Sequence, residues 1–246
     1  MNQTNKNGRL YGIGAGPGDP ELLTIKAYRV LQESPVIAYP QGKKGADGYA
    51  YTIIKSLIDS EKKTLLPLHF PMTKDKTLLK SYWEKAVEEV AEFLLAGENV
   101  AFVSEGDPLF YSTFIHLMRV LARKHPELEI SAVPGVSSVF GAAASLALPI
   151  SDGDEKMAVI PASDDMVLMK KHLQENDTVV FLKVAKVLQP MIHLLGESGL
   201  EKSSFVVSRA TASDEQVYTN IQELKNREIN YLSLMIVKTK EEEDYE

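Results

Sequence analysis

Apolar runs and helix-period segments alternate along almost the whole of this chain. Strand-like runs fall at residues 10–13, 36–39, 64–68, 100–103 and 128–133, and again at 157–161, 177–182, 204–208, 216–219 and 231–237. Between them lie helices, of which residues 75–95 are the clearest. There Leu78, Leu79, Tyr82, Ala86, Val87, Val90, Phe93 and Leu94 recur at three- and four-residue steps, and Gly97 ends the run. Such alternation predicts an α/β protein with a largely parallel or mixed sheet. The strands are many for one small open sheet, and the last few are not separated by helices. The pattern therefore predicts two α/β domains, residues 1–125 and 126–246, with antiparallel strands in the second.

Composition narrows the chemistry. The 246 residues give ample length for a core, and 44% hydrophobic with 25% charged is ordinary for a globular protein. The net charge of -7 advertises no affinity for nucleic acid or for an acidic membrane. There are no cysteines, which excludes disulfides, thiolate metal sites and cysteine nucleophiles and fits a reducing cytoplasm. The amino terminus lacks the apolar stretch of a signal peptide, and no run approaches the ~18 apolar residues of a membrane span. The acidic tail, residues 240–246, reads as a solvated end. His69, His116, His125, His172 and His193 do not pair at metal-ligand spacing, so no metal site is expected and each reads as a surface or half-buried residue. Trp83 reads as core.

Three loops at strand ends carry the functional signal. The first, Gly12-Ile-Gly-Ala-Gly-Pro-Gly-Asp-Pro20, permits positive φ and close backbone approach at its glycines, and Asp19 is placed to cap a helix that starts at Pro20. It is not a dinucleotide fingerprint: the third glycine position holds Pro17, and Tyr39-Pro40 ends the second strand in place of an acidic residue. The second, Ser104-Glu-Gly-Asp-Pro108, offers the backbone amide of Gly106 and sets Asp107 at a strand's carboxyl end, where α/β proteins bind ligands. Asp107 either meets a ribose or an amine there, or caps a helix starting at Pro108. The third, Val133-Pro-Gly-Val-Ser-Ser138, leads into the small-residue run 141–145.

Taken in order, these loops together with Ser208-Arg-Ala-Thr211 resemble the tetrapyrrole (corrin/porphyrin) methylases across nearly the whole chain. Within that family, His69-Phe-Pro-Met-Thr-Lys74, the run from Gly106 to Thr113 and Val180-Phe-Leu-Lys-Val184 look most like the C-20 methyltransferases of precorrin-2 or cobalt-factor II in cobalamin synthesis. Glu105 departs from the Gly-Gly-Asp-Pro loop of many relatives. The resemblance implies a homodimer of two-domain α/β subunits with S-adenosyl-L-methionine (SAM) bound in the cleft between domains. It implies that Pro17, Gly106, Asp107, Phe110, Ser137, Ser138, Lys183 (or Leu182), Ala210 and Ser233 line the cofactor. Other members of the same fold family methylate ribosomal-RNA ribose or act in the diphthamide pathway, and a non-catalytic binding module is a further alternative. The acidic composition shows no basic face for an RNA partner.

The chemistry implied is positioning catalysis, since the sulfonium of SAM carries its own activation. One proton must leave the substrate, and Asp19, Asp107, Tyr111 and Tyr39 are the candidates to accept it. The tetrapyrrole bears several carboxylates, for which Lys43, Lys44, Lys183 and Arg209 follow strand ends; for each lysine a solvated surface charge is the simpler reading.

Overall fold

The computed structural model describes residues 7–42, 47–71 and 75–240. The chain divides into two compact units, Met1–Ser137 and Ser138–Glu246. The first is built on the strands β1 (Arg9–Gly14), β2 (Val36–Gln41), β3 (Thr64–His69), β4 (Val100–Ser104) and β5 (Glu129–Val133). They form one sheet in the order β3-β2-β4-β1-β5, and every pairing is parallel. β4 is buried along its whole length, as a central parallel strand covered on both faces must be. Because β5 pairs with β1 from Arg9↔Glu129 to Ile13↔Val133, it belongs to the first sheet. The division therefore falls at residues 137/138 rather than at 125/126. Arg123 and Lys124, beside position 125, end a helix within the first unit.

Helices α1 (Ile25–Glu33), α2 (Tyr49–Ile54), α3 (Lys76–Leu95) and α4 (Phe114–Lys124) cover this sheet. The expected start of α3 holds: Asp75 caps it through Thr77 N and Leu78 N, and Val87, Val90 and Leu94 are buried against Phe102, Phe114 and Leu117. Two expected helix starts shift. After Pro20 there is only a single turn of 3-10 helix, Pro20–Leu22, capped by Asp19; α1 begins at Ile25, where Thr24 caps it by accepting from Ala27 N. Pro108 begins a turn rather than a helix. α4 starts at Phe114, whose amide donates to Ser112 Oγ.

The second unit carries β6 (Met157–Pro161), β7 (Thr178–Leu182), β8 (Ser204–Ser208), β9 (Gln216–Tyr218) and β10 (Ser233–Lys238), in the order β6-β7-β10-β8-β9. β6 and β7 are parallel, and β10 runs antiparallel to both β7 and β8, which gives the expected mixed sheet. Helices α5 (Ser138–Leu146), α6 (Met166–Glu175) and α7 (Leu188–Glu197) complete it. α5 packs Val139, Ala142 and Ala143 against Val180, Leu182, Val207, Ala210 and Leu234. Its alanines let it lie close to the sheet. α7 buries Met191, Ile192 and Leu195 in a second cluster with Phe181 and Met235.

Candidate functional site

The three glycine loops leave β1, β4 and β5, which stand side by side in the first sheet, so all three emerge at one edge of it. They are joined backbone to backbone. Ala15 N donates to Ser104 O (2.9 Å), Gly106 N to Gly16 O (2.8 Å) and Gly16 N to Gly106 O (3.3 Å). Gly16 and Gly106 hold φ of 77° and 64°, a region that penalises any side chain. A Cβ on Gly14 would lie 2.5 Å from Gly135 N and 2.7 Å from Gly106 O, and one on Gly135 would lie 2.3 Å from Gly106 O. Gly12 makes room for the Phe114 ring, 2.3 Å from where its Cβ would stand. These glycines are required by the packing of the loops upon one another. The Gly106 amide, expected to face a ligand, is spent on Gly16.

Asp107 locks the arrangement. Its Oδ1 accepts from Leu109 N (2.8 Å) and its Oδ2 from Gly135 N (3.1 Å), so one carboxylate ties the second loop to the third. Beyond it, Leu109, Phe110 and Tyr111 are exposed in succession, and the Phe110 and Tyr111 rings meet edge to face at 4.8 Å. Three large apolar side chains in water at a strand's carboxyl end form a surface suited to a flat apolar ligand. Tyr111 holds φ 51°, which for a bulky residue is strained. Pro17 is buried, and its carbonyl accepts from Tyr49 OH (3.0 Å). Asp19 Oδ1 accepts from Glu21 N at 2.8 Å. Ser137 is half-buried at the end of the third loop. Tyr39 stacks on Tyr51 at 4.6 Å; burial, then the charges of Tyr51 and Asp47, raise its pKa, so it keeps its proton. Lys43 and Lys44 lie outside the described residues, as do Met72, Thr73 and Lys74.

In the second unit the carboxyl ends of β7 and β8 and the start of β10 come to one edge, with Leu234 opposite Leu182 and Ser233 opposite Ser208. Lys183, Ala210 and Ser233 are gathered there. Ser208 Oγ and Ser233 Oγ share a hydrogen bond of 2.6 Å, and Ser233 Oγ also donates to Asn230 O (2.5 Å). Ala210 is buried against α5, whereas Lys183 is exposed. Ser138 opens α5 and is half-buried. Three non-glycine residues at this edge hold left-handed backbone: Lys183 (58°), Arg209 (54°) and Thr211 (63°). Each such residue costs about 1–3 kcal/mol, and such strain gathers at ligand sites. The loop after β8 is held by Glu215, which accepts from Thr211 N (2.6 Å) and Ser145 Oγ (2.7 Å). Arg209 Nε donates to Asp214 Oδ1 at 2.7 Å, so this cation already has a carboxylate partner within the chain.

Sequence reasoning found the three loops and missed why their glycines are there. Gly14 and Gly135 emerge as the residues that let the loops touch, a role whose only sequence signal was a glycine in each loop. Among the described residues no group of three acidic or histidine side chains is placed to hold a metal ion, and no helix is long and apolar enough to cross a membrane.

A family profile for the tetrapyrrole (corrin/porphyrin) methylases matches residues 9–225. A probable cobalt-precorrin-2 C(20)-methyltransferase of Methanocaldococcus jannaschii is 39% identical over 94% of this chain and 96% of its own length. A precorrin-2 C(20)-methyltransferase of a Sinorhizobium species is 33% identical over 94% and 95%. Among solved structures, the uroporphyrin-III C-methyltransferase of Thermus thermophilus, determined with S-adenosyl homocysteine, superposes with a TM-score of 0.67 at 23% identity, covering 94% of this chain and 97% of that one.

Proposed function

From the premise that the chain belongs to the tetrapyrrole (corrin/porphyrin) methylases, we propose that it is a SAM-dependent methyltransferase acting on the C-20 meso carbon of precorrin-2 or cobalt-factor II in cobalamin biosynthesis. The observation that carries the reading is the 39% and 33% identity, over 94% of the chain, to relatives that bear the C(20)-methyltransferase name. Those relatives are named for metal-free and for cobalt-bearing substrate, and the metal in question belongs to the substrate.

The residues present fit the cofactor on two counts. Exposed Phe110 and Tyr111 offer aromatic faces, which favour a sulfonium cation and a flat substrate alike. The strained edge at Lys183, Arg209 and Thr211 presents backbone in a conformation that ordinary packing does not select. When bound, SAM supplies an activated methyl group, so the protein's part is orientation and exclusion of water. Contacts are proposed at Pro17, Gly106, Phe110 and Ser137 in the first unit and at Ser138, Lys183, Ala210 and Ser233 in the second. Asp107 is a positioning residue in this scheme, because both its oxygens are committed to holding Leu109 and Gly135. Asp19 and Tyr111 are the candidates proposed to accept the proton released from C-20. We place the enzyme in the cytoplasm as a homodimer, in line with the family resemblance and the absence of cysteine; light scattering tests the dimer.

Incubation with labelled SAM and each tetrapyrrole, followed by mass spectrometry and methyl NMR, tests the activity. One new methyl at C-20 is expected. A label at a pyrrole carbon with none at C-20 refutes the assignment, and no transfer to any tetrapyrrole refutes the function.

A further inference from the structure

Among the described residues, the side-chain atoms that are buried without a hydrogen-bond partner are Ser34 Oγ, His69 Nδ1, Ser163 Oγ and Thr178 Oγ1. Three are hydroxyls; the fourth belongs to a ring whose two nitrogens face different surroundings. Such an atom in a well-packed fold calls for a reason. His69 is the last residue of β3, opposite Gln41 of β2, at the carboxyl edge of the first sheet where ligands of parallel sheets bind. Its Nε2 is not among the buried unpartnered atoms and has no hydrogen-bond partner among the described residues, so it keeps access to solvent.

This asymmetry settles the tautomer. A neutral imidazole carries one N–H, and placing it on Nδ1 would bury a donor with no acceptor, which costs more than burying a lone pair. The hydrogen therefore sits on Nε2 and faces outward. The ring is also braced. Tyr82 of α3 meets it edge-on at 5.4 Å, and the next residue, Phe70, stacks on Trp83 at 4.2 Å, with His116 behind Trp83 at 5.0 Å. A donor held this rigidly loses little freedom when it binds.

We propose that His69 Nε2–H donates a hydrogen bond to a carboxylate side chain of the tetrapyrrole, an inference that rests on the methyltransferase reading above. His69 is then a substrate-orienting residue that takes no part in the transfer of the methyl group. A charge-assisted bond of this kind corresponds to roughly a ten- to hundredfold difference in affinity.

The test compares wild-type protein with His69→Phe, which keeps a ring but has no donor, and with His69→Gln, whose amide nitrogen reaches toward the Nε2 position. KM for the tetrapyrrole, kcat and the affinity for S-adenosyl homocysteine are measured for each. For His69→Phe the expected result is a KM raised roughly ten- to hundredfold, with kcat and S-adenosyl homocysteine affinity kept, and for His69→Gln a partial return toward wild type. An unchanged KM in His69→Phe overturns the proposal, and so does a lost kcat at unchanged KM, which would make His69 a chemical group. Should His69→Phe fail to bind S-adenosyl homocysteine, the comparison passes to His69→Asn, too short to reach, against His69→Gln; equal KM values in that pair overturn the contact. A wild-type protein that methylates no tetrapyrrole overturns the function and this contact together, whereas normal methylation by all variants overturns the contact alone.

Discussion

Gly135→Ala is the sharpest probe of the loop junction. The added methyl would stand 2.3 Å from Gly106 O, 2.7 Å from Gly14 Cα and 2.8 Å from Gly14 C, all backbone atoms, whereas ordinary contact begins at 3.4 Å. No side chain is available to swing aside, so the third loop must retreat from the other two by about 1 Å, the shortfall in the closest contact. Overpacking of this kind costs about 1–3 kcal/mol. The same retreat stretches the Gly135 N to Asp107 Oδ2 bond beyond its 3.1 Å, which removes about 1 kcal/mol more. For a unit of this length the combined loss lowers the melting temperature by roughly 5–15 °C. Activity should suffer more than stability, because about 1 Å of misplacement costs on the order of 10²-fold in a positioning enzyme. Thermal melts, calorimetry with S-adenosyl homocysteine and kcat/KM at a temperature where the variant is folded make the comparison. Gly196→Ala is the control: its Cβ would meet only the carboxylate end of Glu201 at 3.0 Å, and within a helix alanine is favoured over glycine by up to about 1 kcal/mol. If Gly135→Ala melts and turns over like wild type, the loops are not held by glycine contact and the account of this junction is wrong.

Asp107→Asn can keep an acceptor for either Leu109 N or Gly135 N but must turn its NH₂ toward the other, so a loss of about 1–2 kcal/mol and weaker S-adenosyl homocysteine binding are expected; equal melting and affinity would contradict the locking role. Trp83 is the only tryptophan and lies 5.0 Å from His116, whose pKa is lowered first by burial and then by Arg119. Protonated imidazole quenches indole emission, so Trp83 fluorescence should fall on acidification with a midpoint below the ordinary histidine value of about 6.5, and a midpoint above it would refute the burial argument. In the second unit Glu155 is held below the usual glutamate range, chiefly by its hydrogen bond from the buried Lys238 ammonium. A depressed carboxyl pKa contributes stability above its unfolded value and loses it as pH falls through the folded one. The melting-temperature advantage of wild type over Lys238→Met should therefore shrink below about pH 4.5, and an advantage independent of pH from 6 to 3 would sink the idea.

Much of the fold was legible because its strands are buried apolar runs. Val100–Ser104 and Ser204–Ser208 are marked by composition alone, and α3 by the spacing of Val87, Val90 and Leu94. What misled were local signals that tertiary contacts override. Pro108 after Asp107 has the form of a helix start, yet Asp107 spends one oxygen on Gly135, twenty-eight positions away, and the chain turns through Tyr111 before α4 begins. Pro20 has the same form, but Thr24 provides a second cap and the long helix starts there. The domain boundary lies at 137/138 because β5 pairs with β1, a long-range event that no local pattern near residue 125 reports. His69 opens the motif that carries the C-20 resemblance, yet the sequence assigns it no contact; the burial of one ring nitrogen and not the other exists only in three dimensions.

The loop junction also bears on why a chain with a net charge of -7 can serve an anionic substrate. In each unit, charged groups at the loop edge are committed within the protein: Asp107 to two amides in the first, Arg209 to Asp214 and Glu215 to Thr211 and Ser145 in the second. The exposed Phe110 and Tyr111 of the first unit are uncharged, and the exposed cation of the second unit's edge is Lys183. A methyl transfer that starts from an activated sulfonium asks for alignment more than for strong acids or bases. Fixed charges used as internal struts give that alignment without setting a strong local field against either reactant. On this argument, substitutions that loosen Asp107, Gly14 or Gly135 should damage turnover through geometry, and full kcat in such variants, measured below their melting transitions, would refute it.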